Sequence, residues 1–80
     1  MPHYYFHLRE GDRVIEDPDG GPFRDLDAAR TEALASAREM LAERLKAGRV
    51  LDGQEIEICD AEGHRLATVR FREAFTLLPH

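Results

Sequence analysis

From His3 to Arg9 the side chains alternate: Tyr4, Phe6 and Leu8 fall on one side, His3, Tyr5 and His7 on the other. A period of two is the pattern of a β-strand with one face turned to a core. Glu10-Gly11-Asp12 interrupts the alternation and Arg13 to Glu16 resumes it, which predicts a hairpin. Asp17-Pro18-Asp19-Gly20-Gly21-Pro22 then suits a type I turn, and its two prolines, each lacking a ladder donor, exclude a strand interior. From Leu26 to Ala47 the period changes to that of a helix. Leu26, Ala29, Ala33, Leu34, Ala37, Met40, Leu41 and Leu45 form a stripe roughly 160° wide, with Glu32, Glu39, Glu43 and Lys46 opposite. Asp25 is placed to cap the helix start and Gly48 to take the left-handed position at its end. Alternation returns over Gln54 to Asp60, where Ile56 and Ile58 oppose Glu55, Glu57 and Cys59. Asp60-Ala61-Glu62-Gly63 turns the chain, and Arg65 to Phe71 returns with Ala67, Val69 and Phe71 facing inward.

The predicted architecture is α+β: a ββαββ order forming a four-stranded, mainly antiparallel sheet with one long helix packed on one face. One domain spans residues 1–80, with strands at about 3–9, 13–16, 54–60 and 65–71, a helix at about 26–47, and a C-terminal tail at 72–80. The tail suits either a short helix or an extension anchored by Phe75, Leu77 and Leu78. Strand order is open between a β-grasp-like arrangement and consecutive hairpins. A sheet about 19 Å wide, with strands of about 23 Å, is shorter than a helix of about 33 Å. One helix end should therefore overhang, and one sheet face is left without a cover. Both features point to a partner surface.

The opening YYFHLREGD, the turn DPDGG, the helix start DLDAARTEAL, the hairpin LDGQEIEICDAEG and the closing VRFREAF resemble a family of short uncharacterised bacterial proteins. That family is common in alphaproteobacteria and is catalogued as a domain of unknown function. The resemblance covers about residues 3–75. It implies a small stand-alone domain and brings no assigned activity, cofactor or catalytic residue. The strand–strand–helix layout also resembles the antitoxin partner of small toxin–antitoxin pairs, although only two strands are read before the helix.

Composition narrows the classes. The chain has 80 residues, 42% hydrophobic and 34% charged, which suits one globular domain near the lower size limit for unaided folding. No stretch approaches the ~18 apolar residues of a membrane span, and the start has no basic-then-apolar signal layout, so a cytoplasmic location is expected. The single cysteine, Cys59, excludes an internal disulfide. A formal net charge of −5 argues against a general nucleic-acid binder.

Candidate chemistry is sparse. His3 and His7 stand about 13 Å apart along a strand, too far to hold one metal, so a site would need His64 or Cys59 beside one of them. Acidic neighbours work against a reactive Cys59 thiol. Asp17-Pro18-Asp19-Gly20 opens like a calcium loop, but Ala28 stands where the bidentate glutamate is required, and a solvated turn is the simpler expectation. Arg30 and Arg44 interrupt the apolar stripe. They are expected to lay their stems along the core edge or to meet an acidic group on a partner chain. No phosphate cradle, nucleophile elbow or metal motif of known spacing is present in the sequence. The expectation is a non-enzymatic interaction module without a cofactor. It would form a homodimer through the open face, a sheet edge or the overhanging helix end, and other protein partners are open. His3, Tyr5, His7, Leu66 and Arg70 are the interface candidates if the face is used. The alternative is a small regulatory nucleic-acid-binding or antitoxin-like protein acting through Arg65, Arg70 and Arg72. A small enzyme or a metal-binding protein, with His3, His64 and Cys59 as its first residues, is a third.

Overall fold

A computed structural model describes residues 1–49 and 53–75. Part of the connector read at 49–53, and the tail residues Leu77 and Leu78, lie outside the described residues. The elements run β1 (His3–Glu10), β2 (Arg13–Ile15), β3 (Gly21–Pro22), α1 (Leu26–Lys46), β4 (Glu55–Cys59), β5 (Arg65–Arg70) and a 3-10 turn, η1 (Phe71–Ala74). They form an antiparallel sheet carrying one helix, an α+β fold. The order across the sheet is β2-β1-β4-β5, so the two hairpins meet through their first strands. Tyr5 to Arg9 pairs with Cys59 to Glu55 residue for residue.

One element departs from the sequence expectation. Gly21 and Pro22 pair with Tyr4 and His3 as a two-residue strand, in the loop that its prolines excluded from a strand interior. The exclusion is valid for a central strand. β3 lies beside β1 only, on the side away from β4, and an edge position tolerates proline's missing N–H.

The helix ends as its capping residues dictate. The Asp25 carboxylate accepts the Ala28 N–H at 2.9 Å. At the other end Gly48, at φ +77, lets its own N–H reach the Leu45 carbonyl and the Arg49 N–H reach that of Arg44. This double closure satisfies carbonyls that the last turn leaves free. Ala29, Ala33 and Ala37 are fully buried, so a row of the smallest helix-favouring side chains faces the sheet and lets the backbone come close. Ile56, Ile58 and Val69 fill the space beneath, joined by Tyr4, Phe71 and Ala74.

The helix sits off-centre, over β4, β5 and η1. Phe6 and Leu8 on β1 are consequently only partly covered, and Ile15, opposite Leu8 on β2, remains 42% exposed. Leu45 in the last helical turn is 72% exposed. After β5, η1 folds back against the helix and buries Phe71 and Ala74, while Phe75 stays half exposed. No helix among the described residues is long and apolar enough to cross a membrane.

Candidate functional site

The sheet face away from α1 takes its residues from alternate positions of three strands: His3, Tyr5, His7 and Arg9 from β1, Glu55, Glu57 and Cys59 from β4, and Arg65, Thr68 and Arg70 from β5. Their roles follow from register. Tyr5 stands between the two histidines, with ring centroids 5.2 Å from His3 and 6.3 Å from His7, the latter pair stacked at 20°. These three sequence-predicted residues therefore form one aromatic ladder. The loop between β2 and β3 braces it. His3 Nε2 lies 2.8 Å from the Asp19 carbonyl oxygen, and His7 Nδ1 accepts the Asp17 N–H at 3.0 Å. That bond places the neutral His7 proton on Nε2.

The organiser of this loop is Asp17. Its carboxylate accepts the N–H groups of Phe6, Gly20 and Asp19 at 3.1, 3.1 and 3.2 Å. Phe6 falls between the stretches of β1 paired with β2 and with β3, so the carboxylate supplies an acceptor where the ladder has a gap. Burial opposes ionisation of Asp17, but the N–H donors of Gly20, Phe6 and Asp19 outweigh it and hold the carboxyl below its ordinary range. The calcium-like spacing thus serves a backbone turn.

Beside the ladder lies a charge clamp. Glu57, only 8% exposed, accepts from Arg9 Nε at 2.8 Å and lies 3.5 Å from Arg65 Nη1. The Arg9 hydrogen bond lowers the Glu57 carboxyl against the opposing cost of burial. Arg70 Nε lies 3.6 Å from Glu55. Arg65 and Arg70, two members of the basic stretch read from the sequence, are thereby each close to a carboxylate. Cys59 is 5% exposed; burial pushes its thiol up, and Glu57 and Asp60 add to the rise. A thiol so held is a poor nucleophile.

Other candidates disperse. Leu66 is the extra residue of a β-bulge, since Ile58 pairs with Ala67 and Cys59 with Arg65. It stands apart from the ladder, on the strand at the far side of the sheet. Arg44 donates to Glu10 at 2.7 Å and Arg30 lies 3.9 Å from Glu73, so these two candidate arginines find carboxylates of their own chain. His3, His64 and Cys59 do not gather. Among the described residues, the group whose potential ligand atoms do converge is Asp60, Glu62 and His64, all within 4.8 Å of one another. Asp60 Oδ1 already accepts the Glu62 and His64 N–H groups, and Oδ2 lies 3.1 Å from His64 Nδ1. These contacts shape the β4–β5 turn. The Asp-x-Glu-x-His spacing was readable in the sequence, whereas the Arg9–Glu57 bond, between residues 48 apart, had no local signal.

A family model described as a domain of unknown function, DUF6894, matches residues 3–72. No curated protein and no solved structure matches the chain. The match runs from the first residue of β1 into η1 and takes in the aromatic ladder, its loop and the charge clamp, so the chain belongs to the DUF6894 family.

Proposed function

We propose that this domain is a non-enzymatic protein-interaction module that pairs with a second copy of itself through the sheet face away from the helix. The observation that carries this reading is the His3–Tyr5–His7 ladder, an aromatic surface already held in one conformation by stacking and by the Asp17 loop. A preformed aromatic patch loses little side-chain freedom on binding, which is where much of the cost of association arises. The other surfaces suit self-pairing less. The β5 edge carries a bulge together with Arg65 and Arg70, features that oppose edge-to-edge pairing. The opposite edge is divided between two short strands. The face itself nearly balances its charges, with Arg9, Arg65 and Arg70 against Glu55 and Glu57.

A nucleic-acid-binding or antitoxin-like role through Arg65, Arg70 and Arg72 would draw on side chains of which the first two already lie beside Glu57 and Glu55. The experiment is solution mass by light scattering across micromolar concentrations, for the native chain and for Tyr5→Ala. The native chain is expected at twice 9.1 kDa, and Tyr5→Ala at a lower mass with its helix content unchanged. A native monomer, or a dimer indifferent to Tyr5→Ala, would overturn the reading.

A further inference from the structure

The two histidines of the ladder are tied to the same loop with opposite polarity. His3 Nε2 lies 2.8 Å from the Asp19 carbonyl oxygen, which can only accept, so this ring donates. His7 Nδ1 lies 3.0 Å from the Asp17 backbone nitrogen, which can only donate, so this ring accepts. Histidine is the side chain whose charge ordinarily changes between pH 5 and 8, and an imidazolium carries an N–H on both nitrogens. Protonation therefore leaves the His3 bond in place. It ends the His7 bond, because two donors then face one another.

The groups around His7 are of both signs. Tyr5 and Arg9 flank it on β1, the Asp17 carboxylate and the exposed Glu16 come from the loop, and Glu57 stands opposite it on β4 between Glu55 and Cys59. Glu57 is engaged by Arg9 and by Arg65 of β5, and the Asp17 carboxylate by three N–H groups. With both signs present, the polarity of Nδ1 decides what happens at the loop. His7 is only half-buried, so a proton can reach it. The Phe6 and Gly20 bonds to the Asp17 carboxylate and the pairing of β3 do not involve the ring. Acid should thus loosen the loop at Asp17 while the rest of it stays on the sheet. Charge adds a second effect. The face already sets Arg9, Arg65 and Arg70 against Glu55 and Glu57, and a twofold axis brings the same patch of both copies together, so each added proton meets its like.

We propose that His7 is a proton-operated latch on the aromatic ladder: neutral, it holds the loop by the Asp17 N–H; protonated, it releases that N–H and the copies paired through this face separate. The separation rests on the dimer reading given above, whereas the latch does not.

The test follows the nitrogen-15-labelled full chain from pH 8 to pH 5. The Asp17 amide signal is expected to move with the same midpoint as the His7 ring. Its protection against hydrogen exchange, corrected for the intrinsic effect of pH, should fall about fivefold, the scale of one lost hydrogen bond. The amides of β4 and α1 should stay in place. In His7→Asn the side-chain oxygen stands at the same remove from Cβ as Nδ1, accepts the same N–H and takes up no proton in this range. The Asp17 amide of that variant is expected to be indifferent to pH. An Asp17 amide that ignores the titration of the His7 ring, or one that responds equally in His7→Asn, would overturn the latch. Light scattering at the two pH values reads the second half: the native chain should pass from twice 9.1 kDa towards 9.1 kDa on acidification. A dimer at both values, with the Asp17 amide moving, would overturn the separation and leave the latch. A monomer at both values would overturn the dimer reading and the separation with it, and the Asp17 amide would still decide the latch.

Discussion

At the scale of single residues, Gly20 shows how a side chain's absence can be structural. It adopts φ +63 with its backbone against β1; an added Cβ would stand 2.6 Å from the Tyr4 carbonyl oxygen and 2.8 Å from the Tyr5 ring. Gly11 has the same φ of +63 but open space around it. Gly11→Ala should therefore cost only the left-handed backbone penalty of about 1–2 kcal/mol. Gly20→Ala carries that penalty and must also displace the loop from β1, so the expected outcome is a loss clearly larger than that of Gly11→Ala. Equal midpoints in denaturant for the two variants would contradict the close approach. The sequence marked both glycines as turn residues. It could not rank them, because the clash at Gly20 comes from β1, sixteen residues earlier in the chain.

At the scale of elements, the helix was legible because its signals are local: a 3.6-residue period, an Asp25 cap and a Gly48 stop. The closeness of its packing was not. Ala29, Ala33 and Ala37 belonged to a broad stripe that also held Leu34, Leu41 and Leu45, and only the seating of the helix singles out the alanines as its innermost row. Ala33→Leu is expected to destabilise by about 1–3 kcal/mol, since extra volume must push the helix away from Ile56, Ile58 and Val69. Leu45→Ala, at an exposed position, should fall within about 0.5 kcal/mol of the native chain. Thermal unfolding of the two variants checks the contrast. β3 escaped the sequence reading because a two-residue strand has no period of its own. It exists because β1 runs alongside and offers it partners at His3 and Tyr4.

At the scale of the whole molecule, four carboxylates with lowered values set the response to acid, Asp60 among them, where hydrogen bonds from His64 outweigh desolvation. Glu57 is lowered by its hydrogen bond from Arg9, Glu10 by its bond from Arg44, and Asp17 by N–H donors that outweigh its burial. A lowered value in the folded chain means that the unfolded chain takes up protons first. Their contribution is therefore present above the ordinary carboxylate range, about pH 4, and is lost as pH falls through the lower folded values. Stability should be level towards neutrality and decline below about pH 4, with Asp17→Asn giving a shallower decline. Denaturant midpoints measured across that range test the sign, and a midpoint that rose on acidification would refute it. The sequence by itself determined the four longer strands and the helix, their inward faces, the helix ends and the turns, because each follows from side chains within a few positions of one another. The tertiary structure alone decided that β1 lies beside β4, that the helix sits towards β5 and η1, and that Arg9 meets Glu57 while Arg44 meets Glu10. Alternation tells a strand which side faces inward but not which strand is its neighbour, so any contact that depends on the neighbour is settled only when the sheet assembles.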